Sequence, residues 1–393
     1  MNLLERLLSK VTDVIRLLDD IPNGILRDYC VIIILTVLHA TLLFMTVERR
    51  AVLPIDKANK NRRIDSFSDE ECWHNLRFRK EDLRRLYAIT QFPPIIYCDN
   101  GTVCNGEYAF CLMLHRLAYP SRLFSLQSIF GREFFQLSRI FNYAVTFMSD
   151  IHKHKVQGNL SFYSNRFDVY HQAVLRRIRI SSRNANAGFI PVDLVDIFAF
   201  LDGTGLEIAR TSNGAQNPFY NGYMHRHYLI FQGVSFPDGM VVIEGAFAGY
   251  NNDVLIWRES LMRFKLEELM QERLAVGLPR LKVYADKIYS NSVIITAAYS
   301  LRTNPAGLQQ WQVNLNRIMS DIRVAIEWSF GKIVTRSKFV VFASPMKIQL
   351  SPVSQYYHIA VLLANTHTCI YGCQHSQYFR VEPPTFEEYF AQE

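Results

Sequence analysis

The apolar positions of the chain change period several times, and each change marks an element. From residue 3 to 18, Leu4, Leu7, Leu8, Val11, Ile15 and Leu18 recur at helical spacing, with Glu5, Lys10, Asp13 and Arg16 elsewhere. This predicts an amphipathic helix that needs a partner surface. Asp20 to Gly24 breaks it. Tyr29 to Val47 follows, 19 residues without Lys, Arg, Asp or Glu, closed by Glu48-Arg49-Arg50. That barely meets the ~20 residues of a bilayer span, and His39 and three threonines interrupt it. A buried core helix and a membrane anchor both stand as readings. A full amphipathic helix precedes the run, so it is not a secretory signal peptide. Residues 1–50 are thus two N-terminal helices, and 51–75, polar and charged, read as a linker.

From 76 to 185 the pattern is helical. One helix lies near Glu81–Thr90 and stops at Pro93-Pro94; the next opens at Asn105 or Gly106 and ends at Tyr119-Pro120. Ser125 caps a short helix over Leu126–Phe130, Gly131 makes a turn, and Phe134–Met148 forms a longer helix. Three helices with a glycine turn before the last, over 106–149, resemble a helix-turn-helix, which puts Gln136, Ser138, Arg139 and Asn142 on DNA. A plain bundle with Phe134, Phe135, Leu137, Ile140 and Phe141 as core fits equally. Arg176, Arg177, Arg179 and Arg183 suit phosphate contacts or a solvated face.

From Pro191 the period becomes that of strands. Val192–Leu201 is one, and His227–Ser235 and Met240–Ala246 flank a Pro237-Asp238-Gly239 hairpin turn. Asp253 is an N-cap or first-turn acid ahead of Val254–Ala275. Leu281–Ala285 is a further strand, Ile294–Tyr299 fits strand or helix, and Arg317–Lys332 is a helix with Ile322, Ile326 and Phe330 on one face. The profile predicts an α/β, ribonuclease-H-like domain over 190–345, with a mixed sheet flanked by helices. A C-terminal helix and tail occupy 346–393.

Composition narrows the class. Half-apolar content with 13% aromatics excludes a disordered chain. A net charge of +7 and a pI near 9.0 fit a nucleic-acid partner. The cysteines (30, 72, 98, 104, 111, 369, 373) are odd in number and lack paired zinc-type spacing, so they read as reduced thiols of an intracellular protein.

The candidate chemistry lies in four acids in four settings. Asp202 ends an apolar run before Gly203-Thr204-Gly205, Asp253 follows Gly249-Tyr250-Asn251-Asn252, Asp286 ends Leu281–Ala285, and Glu327 sits inside a helical pattern. Carboxylates at two strand ends and on a packed helix are the layout of a metal-dependent nuclease. In-line cleavage of a phosphodiester needs an activated water and a stabilised leaving oxygen, which two divalent ions about 3.5–4 Å apart supply. Magnesium takes carboxylate and water oxygens, so such a site uses Asp and Glu. Each acid also has an ordinary use: Asp202 as a turn residue, Asp253 as a cap, Asp286 as a loop acid and Glu327 paired with Arg323 at i−4. His225 and His227 fit structural or DNA-facing use, and Lys287 a phosphate contact or an exposed turn.

Asp-Gly-Thr at 202–204, Pro-Asp-Gly at 237–239, Asn-Asp at 252–253, Ala-Asp-Lys-Ile-Tyr at 285–289 and Arg-x-x-x-Glu-x-x-Phe-Gly at 323–331 resemble the nuclease domain of Harbinger/PIF-type transposases, within the DDE superfamily. The similarity extends upstream through Arg116-Leu117-Ala118-Tyr119-Pro120 and Phe130-Gly131-Arg132 and covers about residues 65–370. It implies a catalytic triad of Asp202, Asp286 and Glu327, with Asp253 as a further metal ligand. It also implies magnesium or manganese, two ions, as cofactor and DNA as substrate. A Myb-like helper protein for DNA and nuclear targeting follows as well, and a homo-oligomer is a further expectation. Two positions depart from the family pattern: Gly205 stands where a histidine follows Asp-Gly-Thr, and Ala285 where a glycine precedes the second aspartate. The expected activity is metal-dependent hydrolysis of DNA phosphodiesters followed by strand transfer. The alternatives are a domesticated DNA-binding protein without catalysis and a protein anchored in a membrane through 29–47.

Overall fold

The computed structural model describes residues 30, 32–34, 36, 57–99, 101–184, 195–210, 217–301, 304–342, 346–348 and 350–391, with backbone alone at 184, 325 and 326. The chain divides into two compact units, Met1–Ile55 and Asp56–Glu393. In the first, Cys30, Ile32–Ile34 and Thr36 are helical. The helix expected over 3–18 and most of the apolar run 29–47 lie outside the described residues. No helix among the described residues is long and apolar enough to cross a membrane.

In the second unit, polar composition did not make 57–75 a linker. These residues form short turns that bury Ile64, Phe67 and Cys72, because one apolar side chain in every few suffices to pin a turn to a core. The helices are α1 (Lys80–Ile89), α2 (Gly106–Ala118), α3 (Leu123–Phe130), α4 (Phe134–His152), α5 (Phe167–Asn184), α6 (Asp253–Glu259), α7 (Leu261–Ala275), α8 (Gln310–Arg336), α9 (Val353–Tyr371), α10 (Gln374–Phe379) and α11 (Phe386–Phe390). Asn105 caps α2, its side chain accepting the Glu107 N–H at 2.9 Å. Gly106 is required there because an added Cβ would overlap the Pro93 carbonyl oxygen. α3 starts at Leu123, a turn earlier than a Ser125 cap predicts, and Gly131 ends it at φ 65°. Nearly every residue of α2 is buried, His115 and Arg116 included. The Arg116 guanidinium lies over the rings of Phe141 and Phe339 at 4.9 and 5.0 Å, so ring faces meet its charge.

β1 (Ile95–Tyr97) and β2 (Val103–Asn105) form a two-stranded ribbon. The main sheet comprises β3 (Ile197–Glu207), β4 (Tyr220–Asn221), β5 (Arg226–Ser235), β6 (Val241–Ala248), β7 (Lys282–Ala285) and β8 (Ile295–Ala297). β3 is central: β5 pairs with it antiparallel on one side and β7 parallel on the other, β6 and β4 continue beyond β5, and β8 beyond β7. The result is a mixed α/β layer, a sheet flanked by helices, consistent with a DDE nuclease fold. Side chains alternate along β3. Phe200 meets Phe379 of α10, Asp202 meets Arg323 of α8, and Gly233, opposite Asp202 on β5, lets Phe330 of α8 approach.

The last segment is core, not an appended helix and tail. α9 is buried from Tyr356 to Thr368, and its Asn365 bonds both the N–H and the carbonyl of Val241 on β6, at 3.1 and 2.8 Å. Phe386, Tyr389 and Phe390 of α11 are buried too. All seven cysteines are free thiols.

Candidate active site

Register alone sets two carboxylates side by side. Phe200 of β3 lies opposite Tyr284 of β7 in a parallel pair, and two residues further along each chain stand Asp202 and Asp286. With a side-chain period of two, both point to the same face. Asp202 does not end its strand, as its turn-like sequence suggests. β3 runs on through Gly203-Thr204-Gly205 to Glu207, because β5 pairs with every one of those residues. Asp286 does stand just past the end of β7.

Asp253, the first residue of α6, approaches β3 at the next residue along, Gly203, whose side-chain position alternates with that of Asp202. The cap itself is Asn252, whose side chain accepts the Leu255 N–H at 2.8 Å, so the Asp253 carboxylate is not used for capping. It fits against Gly203, where a Cβ would lie 2.5 Å from Oδ1. Gly205 has a comparable reason: a Cβ there would meet the Tyr228 ring at 2.9 Å. A histidine at 205, which the resemblance leads one to expect, would therefore displace Tyr228.

The three aspartates feel one another. Burial raises the Asp202 carboxyl from 3.8 to about 6; Arg323 and the Gly203 N–H oppose the rise, and the charges of Asp253 and Asp286 add to it. Burial, then Asp286, also raises Asp253. Like charges held together away from water favour protonation or a cation. Here Arg323 supplies part of that charge, with Nη1 3.5 Å from Asp202 Oδ2. The intrahelical Arg323–Glu327 pair does not form, since the half-buried Asp202 attracts the guanidinium more strongly than a solvated acid does.

The Asp202 shift predicts a pH effect. The folded carboxyl holds its proton to higher pH than the unfolded one, so stability falls as pH rises from about 4 to 6 and levels off above. Asp202→Asn should therefore stabilise the metal-free protein at pH 7.5 by about 1–3 kcal/mol, a few degrees of Tm, and gain nothing near pH 4. Thermal melts in EDTA across that range test it. A lower Tm for the variant at pH 7.5 would show that Arg323 already compensates the charge.

Uncharged groups complete the floor. Gln232 Nε2 donates to the Asp253 carbonyl at 2.6 Å and to the Tyr289 hydroxyl at 3.1 Å, while its Oε1 is buried without a partner. Burial, with the Asp253 and Asp202 charges behind it, pushes the Tyr289 phenol far up, so it stays a neutral donor. Tyr289 closes the Ala-Asp-Lys-Ile-Tyr motif and was legible; no sequence signal marked Gln232 or the Arg323–Asp202 contact.

Glu327 is set apart. It lies one turn beyond Arg323, exposed, on the rim of a cavity of about 630 Å³ shared with Arg77, Trp328 and Lys332. Its charge is not among those acting on Asp202 or Asp253. Among the described residues no three His, Cys, Asp or Glu side chains lie close enough to hold one metal ion.

The other candidate residues are dispersed. Lys287 is exposed, and its N–H donates to Asp286 Oδ1 at 2.6 Å, which steadies that carboxylate. On α4, Arg139 is exposed and Gln136 half-buried, whereas Asn142 accepts the Tyr356 hydroxyl of α9 at 2.5 Å. Leu137, Ile140 and Phe141 are core, while Phe134 and Phe135 are exposed. Arg177 stacks on Tyr378 at 3.6 Å and Arg176 donates to the Phe379 carbonyl, so two of the four basic residues of α5 hold α10. His225 precedes β5 at φ 54°, outside the strand that carries His227, and both side chains meet Tyr220.

No curated protein and no solved structure matches the chain. Residues 201–365, the stretch from the middle of β3 into α9 that carries all four acids, match the family model described as DDE superfamily endonuclease.

Proposed function

We propose that this protein is a metal-dependent DNA endonuclease of the transposase type, of the Harbinger/PIF kind its motifs resemble, with Asp202, Asp286 and Asp253 as the carboxylate cluster. The observation that carries the reading is the register of the parallel β3–β7 pair, which sets Asp202 and Asp286 on one face, with Asp253 at the neighbouring Gly203, near enough for its charge to act on Asp202. The donor set is all hard oxygen, the class that magnesium and manganese prefer, and the raised Asp202 carboxyl marks negative charge a divalent cation would relieve. When bound, such ions supply an acidified water and charge stabilisation at the leaving oxygen. The chain's own part is positional. β3 and β7 fix two carboxylates, Gly203 admits the third, Tyr289 and Gln232 hold the floor, and Arg323 balances charge at Asp202. Glu327, the third acid of the triad that its motif implies, stands one turn beyond Arg323 on α8.

Nicking of a labelled duplex by the purified chain with Mg²⁺ or Mn²⁺ tests the reading, with Glu327→Ala beside it. Metal-dependent nicking that Glu327→Ala lacks supports the full assignment. Nicking that survives in Glu327→Ala removes that residue from it. A second reading, a domesticated DNA-binding protein, draws on Arg323 neutralising Asp202 and on the separation of Glu327. The absence of both nicking and a metal-induced rise in Tm would favour it.

A further inference from the structure

The cavity beside Glu327 lies where the last turns of α8 meet the C-terminal end of α2 and the start of α10. Its lining is basic. Arg77, Lys332, Arg336 and Lys338 all border it, and none forms an ion pair with a described carboxylate. Lys332 has a structural task, donating to the Gly239 carbonyl at 2.8 Å and to Thr368 Oγ1 at 2.6 Å. The other three cations remain. Arg77 stacks on the Tyr119 ring at 4.4 Å, and its Nε is buried without a partner. Arg336 is held close enough to Arg77 that burial first, and the Arg77 charge after it, lower its affinity for its own proton. Two like charges kept together with no acid between them favour an anion from outside.

Two buried side chains point to a ligand independently of charge. His367 and His375, 3% and 2% exposed, line the same cavity, and the Nε2 of each is buried without a hydrogen-bond partner. Both rings are neutral, held low by burial, so each Nε2 is a donor or an acceptor according to its tautomer. Orphaned buried polar atoms are rare in folded chains and are normally met by solvent or ligand. Trp328, half-buried on the wall, offers an indole surface to a planar ring.

We propose that this cavity receives one nucleotide of a single polynucleotide strand, its phosphate among Arg77, Arg336 and Lys338 and its base toward Trp328. The volume of about 630 Å³ is ample for one nucleotide. The choice of a nucleic-acid strand rests on the nuclease reading; the anion site stands on its own residues. Glu327 on the rim then separates the strand's anchored nucleotide from the aspartate cluster.

The test is anisotropy of a labelled short thymidine oligonucleotide with the full chain in EDTA, which keeps metal ions out of the measurement. Arg336→Gln and Lys338→Gln should each weaken binding about 10-fold and flatten the slope of log K against log salt by roughly 0.7. Lys265→Gln, on α7, should change neither. Lys338 is exposed, so its replacement carries little folding risk, and melting curves check both variants. Wild-type affinity and slope in two natively melting variants would overturn the proposal. So would thymidine monophosphate competing as strongly as the oligonucleotide, which would make this a free-nucleotide pocket. Absence of both nicking and a metal-induced rise in Tm, with the binding pattern intact, removes the nuclease reading and leaves the pocket. Nicking retained with pocket variants that bind normally removes the pocket alone.

Discussion

Asp202→Ala and Asp286→Ala are each expected to lower metal-dependent nicking by about 10³-fold or more, a barrier increase of ~4 kcal/mol. Their side-by-side register on β3 and β7 makes either one half of a shared charge centre. Both variants should keep the fold. Asp202 loses a strained charge on truncation, and Asp286 stands at a strand end with its Oδ1 on the Lys287 N–H. The measurement is nicking under single-turnover conditions, with melting curves and DNA affinity alongside. Loss of nicking with retained folding and binding fits the assignment. Undiminished nicking in either variant sinks it.

A second large effect is expected away from the chemistry. Asp238, in the turn between β5 and β6, is fully buried, and its carboxylate accepts the Tyr170 hydroxyl at 2.5 Å and the Met240 N–H at 3.0 Å, with Arg166 3.6 Å away. Asp238→Ala leaves the buried Tyr170 hydroxyl without its acceptor and deprives the half-buried Arg166, which still donates to the Glu382 carbonyl, of its counter-charge. Removal of one partner from such a buried charged network costs about 3–5 kcal/mol. Urea unfolding monitored by circular dichroism should show the loss, and Asp238→Asn, which can still accept a hydrogen bond, should lose less. A loss below about 1 kcal/mol for Asp238→Ala would mean that water reaches Arg166 and that the turn is not tied to α5 as described.

Some of this was written in local chemistry. Pro237-Asp238-Gly239 sets a hairpin by its own turn preferences, and Gly239 duly takes φ 86°. Asn105 and Gly131 bound their helices through a side-chain cap and a left-handed residue, both decided within a few positions. The acids could be picked out from their flanking motifs. What local pattern could not decide was where a strand or segment ends in three dimensions. β3 continues past Asp202 because β5 offers partners to Gly203, Thr204 and Gly205, a pairing with residues more than twenty positions away. Residues 57–75 look like a linker because burying three side chains leaves the composition polar, and α9 looks like an appendage until Asn365 bonds β6. Charge partners are likewise tertiary. Helical spacing offers Glu327 to Arg323, but the fold brings Asp202 within 3.5 Å of it, and a less solvated carboxylate wins. The sequence by itself determined which acids this protein has and which short turns shape it; only the tertiary structure decided that three aspartates come within range of one another's charge while Glu327 faces a basic cavity, because that depends on strand register and on how α8 crosses the sheet.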